Sequence, residues 1–149
     1  MSKKDTYINQ ALEAFNTGLN CAQSTAVPFA KVVGMDEKTL LNASAAFGGG
    51  VARLRGICGV ASGIALIVGL HEDKDYNDGE TKKEIYTIVQ ELFKKFEAIN
   101  GSYICGDLLD IVDDSPIPSE RTKEYYEERP CAKFVEDGAT IICDYLGIV

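Results

Sequence analysis

Five cysteines, Cys21, Cys58, Cys105, Cys131 and Cys143, are the residues of this 149-residue chain best suited to chemistry. A thiolate is both a nucleophile and a soft metal ligand, so several in one chain point to thiol redox chemistry or a thiolate-bound metal. Spacing narrows the choice. There is no C-x-x-C pair, no zinc-ribbon arrangement and no clustered ferredoxin run. Any shared site must therefore be assembled by the fold from distant segments. The opposing reading is that free cysteines are small hydrophobes filling a core.

Position in the chain favours chemistry for four of them. Cys21 follows the helix-capping residue Asn20, and Cys58 follows a glycine-rich turn. Cys105 follows Gly101 and a short connector, and Cys131 follows Pro130. Each stands at or near a predicted helix N-terminus, where the dipole field lowers a thiol pKa. Cys143 differs. On a continuous last helix it lies roughly 18 Å along the axis from Cys131, too far to share a metal ion, and it reads as structural.

The stretch around Cys58, FGGGVARLRGICGVASGIALIVGL, organises the rest. Gly48, Gly49 and Gly50 with Arg53 and Arg55 could receive an anion or cofactor through backbone N–H groups and two guanidiniums. The lysine of a nucleotide-binding loop and the spaced glycines of a dinucleotide fingerprint are missing, and tight helix packing is the better explanation of the glycines, with Gly59 and Gly63 pointing to close helix contact. From about 58 to 70 follows an apolar, buried central helix.

No sustained period-2 run marks a strand. Helical periodicity recurs instead, most clearly in Ile85, Ile88, Val89, Leu92, Phe93, Phe96 and Ile99. Pro116 and Pro118 break the chain into a loop, short helical stretches follow Cys105 and Thr122, and a last helix starts near Cys131. The expectation is an all-α, single-domain bundle over 1–149, with about five to seven helices around the central one.

Composition removes several classes. A net charge of −8, with 23 acidic against 15 basic residues and no basic stripe, argues against nucleic acid and anionic membrane surfaces. The start MSKKDTYINQ lacks the apolar run of a secretory signal, and the uncharged run 56–70 is shorter than the roughly 20 residues of a membrane span. A cytoplasmic location is the default expectation, and there structural disulfides are disfavoured. His71, the sole histidine, excludes two-histidine sites, and there is no G-x-S-x-G for hydrolase chemistry.

At its cysteines the chain resembles the C_GCAxxG_C_C family of redox-active proteins. Asn20-Cys21-Ala22-Gln23 is similar to the segment around the family's first cysteine, and the Phe47–Leu70 stretch to its glycine–cysteine block. Cys105 with Leu108-Leu109, and Cys131 with Ala132 and Val135, are similar to the third and fourth. The family name implies Gly-Cys-Ala and two further residues before a glycine. Here Cys58-Gly59-Val60-Ala61-Ser62 precedes Gly63, so the cysteine stands one place earlier.

The resemblance implies a redox-active or metal-binding role. Cys21, Cys58, Cys105 and Cys131 would hold an iron–sulfur cluster or another thiolate-bound metal, or Cys58 would act as nucleophile with Cys21 in a dithiol cycle. A redox partner is then required, and its identity is open. An odd fifth cysteine and glycine-lined helices leave room for a homodimer. The alternative from a different class is a non-enzymatic acidic helical module that binds another protein, with structural cysteines.

Overall fold

Capping chemistry sets most of the helix boundaries in the computed structural model, which describes residues 1–149 and contains eight α-helices and no strand. Helix α1 (Lys3–Asn16) starts in a reciprocal capping box between Ser2 and Asp5. Helix α2 (Cys21–Ala26) starts in a second, between Asn20 and Gln23. Pro28 then converts the chain to a 3₁₀ turn, Val27–Phe29. Asp36 caps α3 (Glu37–Ser44), which ends in a further 3₁₀ turn, Ala45–Phe47.

The predicted central helix is α4 (Gly59–Glu72), whose Val60, Ala61, Ile64, Ile67 and Val68 are buried. It packs against α2, the long α5 (Gly79–Asn100) and α8 (Cys131–Leu146). Close approach on two sides depends on glycine. A Cβ on Gly138 of α8 would lie 2.3 Å from Val60 Cγ1, and one on Gly63 would lie 3.1 Å from Thr25 Cβ of α2. Helix α1 closes the bundle against α8 and α2. The two short stretches form α6 (Cys105–Leu109) and α7 (Lys123–Glu128), and counting them brings the helices to eight. No helix is long and apolar enough to cross a membrane.

The glycine turn does not lead straight into α4. Gly49, Gly50, Val51, Ala52 and Arg53 all have positive φ, between 50° and 72°, and Arg55 has φ 65°. Non-glycine residues in this region cost roughly 1–2 kcal/mol each. The turn is held by backbone bonds back across itself, Ala52 to Ala46 at 2.7 Å, Arg53 to Gly48 at 3.1 Å and Gly56 to Gly50 at 2.9 Å. This left-handed excursion turns both arginine side chains towards the loop 113–119.

Candidate functional site: a cavity walled by thiols and arginines

Four separate devices bring four cysteines to one place. Cys21 is the first residue of α2, and its cap Asn20 also donates to the Ala45 carbonyl at 2.9 Å, tying that helix start to the end of α3. Cys58 is the N-cap residue of α4. Cys105 opens α6, and a short antiparallel stitch binds the two together: Cys58 N–H donates to Tyr103 O at 2.8 Å and Cys105 N–H to Gly56 O at 2.7 Å. Cys131 is the first residue of α8. All four line one cavity of about 290 Å³, while Cys143, fully buried in the continuous helix α8, does not.

Gly59 is part of this arrangement. A Cβ there would sit 2.3 Å from Cys21 Sγ, so only glycine after Cys58 lets the two thiol-bearing segments meet. Gly50 fills the same need for Cys105, since a Cβ on it would lie 2.8 Å from Cys105 Cβ. Of the residues expected to receive an anion or cofactor, Gly48, Gly49 and Arg53 line the cavity, and Gly50 supports it from outside the wall.

The predicted helix-end lowering of the thiol pKa does not hold at Cys21, Cys58 and Cys131. Burial is the largest influence on Cys21, Cys58 and Cys131 and pushes each thiol up, Cys131 to about 12. The neighbouring thiols reinforce the rise in all three. Amides at the start of α4, those of Val60 and Ala61, pull Cys58 down, and that of Gly49 pulls Cys21 down, but both are outweighed. Three of the four helix-start thiols are therefore neutral near pH 7 when nothing else is bound, a poor state for nucleophilic attack.

The remaining wall is cationic. Arg53, Arg55, Arg121 and Arg129, every arginine of the chain, line the cavity, and no lysine, aspartate or glutamate does. Arg53 donates to the carbonyls of Ser115 and Ile117 and stands 3.6 Å from the Asp113 carboxylate. Arg121 donates to the carbonyls of Phe15 and Leu19, and its guanidinium lies over the rings of Phe15 and Tyr125. Arg129 lies over Tyr125 from α7 and bonds Ser119. Arg55, 8% exposed, donates through Nε to the Asp113 carbonyl at 2.8 Å, and its Nη1 is 3.6 Å from Cys105 Sγ. Its Nη2 is buried without a partner.

Sequence reasoning reached Arg53 and Arg55 but missed Arg121, Arg129 and Tyr125. The available signal was compositional: a lysine-rich chain with only four arginines places two of them around the short helix before Cys131. All four thiols line the cavity, and no three Cys, His, Asp or Glu side chains are arranged so that they could hold a metal ion.

A family model described as "Putative redox-active protein (C_GCAxxG_C_C)" matches residues 19–145. The chain is also 28% identical over 123 residues to an uncharacterized protein of Archaeoglobus fulgidus, an alignment covering 75% of this chain and 82% of that one. No solved structure matches it.

Proposed function

The chain belongs to the C_GCAxxG_C_C family, and from that premise and its cavity we propose a redox protein whose Cys21, Cys58, Cys105 and Cys131 hold a polynuclear iron–sulfur centre. The observation carrying this reading is the convergence of those four cysteines, from four separate segments, on one cavity that excludes the fifth. Thiolates are the ligands that soft metals and iron–sulfur clusters select.

Electrostatics supports the same reading. Neutral buried thiols make weak nucleophiles, which counts against Cys58 attacking by itself, whereas a bound metal deprotonates its thiols outright. Four arginines offset the negative charge the thiolates then carry. Arg55, with Nη1 3.6 Å from Cys105 Sγ, donates towards the sulfur. The centre, when bound, supplies one-electron transfer. Cys58, Cys105 and Cys131 are buried and would hold it away from water.

Anaerobic purification and reconstitution with iron and sulfide test this. The expected result is stoichiometric iron and sulfide, a visible absorption band bleached by reduction, and a fall in melting temperature on chelation. A metal-free protein that fails to take up iron, while two thiols disappear on mild oxidation and return on reduction, overturns it in favour of a dithiol cycle.

A further inference from the structure

We propose that the cavity also binds a small oxyanion, seated on the Arg55 guanidinium. Arg55 is 8% exposed and lines the cavity, yet its Nη2 has no hydrogen-bond acceptor. A buried charged donor left without an acceptor is rare and costly, so an unfilled donor in a cavity wall indicates a ligand that completes it. The charge of the wall agrees. In a chain of net charge −8, all four arginines and no acidic residue line this one cavity. Asp113, 3.6 Å from Arg53, is the only carboxylate within ion-pair distance of any of them.

Their other partners are the carbonyls of Ser115, Ile117, Asp113, Phe15 and Leu19, the Ser119 and Tyr126 hydroxyls, and the Cys105 sulfur. Such bonds fix the guanidiniums in place, and in the metal-free protein no carboxylate besides Asp113 balances their charge. Guanidinium forks match the paired oxygens of carboxylate, sulfate and phosphate groups. The volume of about 290 Å³ admits an inorganic or short organic oxyanion, and exposed Pro116 and Pro118 form part of the rim. The site rests on the arginines, whatever the cysteines hold.

Calorimetric titration of the full chain with inorganic sulfate tests it, with chloride at matched ionic strength as control and iron content measured on the same samples. Saturable one-site sulfate binding is expected, weakened roughly tenfold or more in Arg55→Gln. Because that change also frees the Asp113 loop, Arg129→Gln is the second variant, and it weakens binding with the loop contacts of Arg55 intact. No saturable binding in the wild type, or unchanged affinity in both folded variants, overturns the proposal. Loss of sulfate binding with iron loading intact removes this proposal alone. Failed iron loading with sulfate binding intact removes only the metal centre.

Discussion

A thiol surrounded by protein keeps its proton longer than one in water, and this sets how the cavity residues respond to pH. Burial pushes the Cys131 thiol up from an ordinary 9.0 to about 12, and it displaces Cys21 and Cys58 the same way. Between those limits the native state binds more protons than the unfolded chain, so stability falls as pH rises. The contribution is whole below about pH 9 and is lost progressively towards pH 12. Urea unfolding of the reduced, metal-free protein should show a midpoint flat from pH 7 to about 9 and falling above it, with a shallower fall in Cys131→Ala. A midpoint that rises above pH 9 contradicts the assignment. The placing of all four cysteines at helix starts was legible in Asn20, the glycine turn, Gly101 and Pro130. The upward direction of the shifts at Cys21, Cys58 and Cys131 was not, because the helix-end field is a local property and desolvation depends on which distant segments cover the sulfur.

Helices meet in this fold through glycines whose roles differ sharply with position. Gly59→Ala gains helix propensity but drives a Cβ to 2.3 Å from Cys21 Sγ, so overpacking dominates and the protein loses roughly 1–3 kcal/mol in denaturant unfolding. Gly69→Ala, in the same helix with nothing within 4 Å, should gain about 0.5–1 kcal/mol. Equal effects at the two positions would show that the α2–α4 contact is looser than described. In the left-handed turn the argument reverses. Ala52 sits at φ 50°, so Ala52→Gly relieves roughly 1–2 kcal/mol of strain and costs about 0.5–1 kcal/mol in chain entropy, a small net stabilisation in the same assay. Gly59 and Gly63 read correctly as helix-packing residues from their spacing in an apolar run. The left-handed path of Val51, Ala52 and Arg53 had no such signal, since these residues do not favour positive φ and are held there by the surrounding bonds.

At the scale of the molecule, an acidic exterior surrounds a cationic, thiol-lined cavity whose wall is contributed by α2, α4, α6, α8 and the loops before them. Assembly from distant segments explains why spacing alone carried no metal motif and why the resemblance at each cysteine was needed to relate them. The helical architecture was legible from the periodicity of stretches such as Ile85 to Ile99 and from the cap Asn20. The arginine lining was not, because Arg121 and Arg129 reach the cavity only through the docking of α7 against Phe15. The central claim is that four cysteines act as one set and the fifth stands apart. Iron bound per chain, measured after anaerobic reconstitution of the five single Cys→Ser variants, tests it most directly. Cys21→Ser, Cys58→Ser, Cys105→Ser and Cys131→Ser should each lose or markedly deplete the iron and its visible band, while Cys143→Ser loads as the wild type does. Equal loading in all five variants would contradict the account.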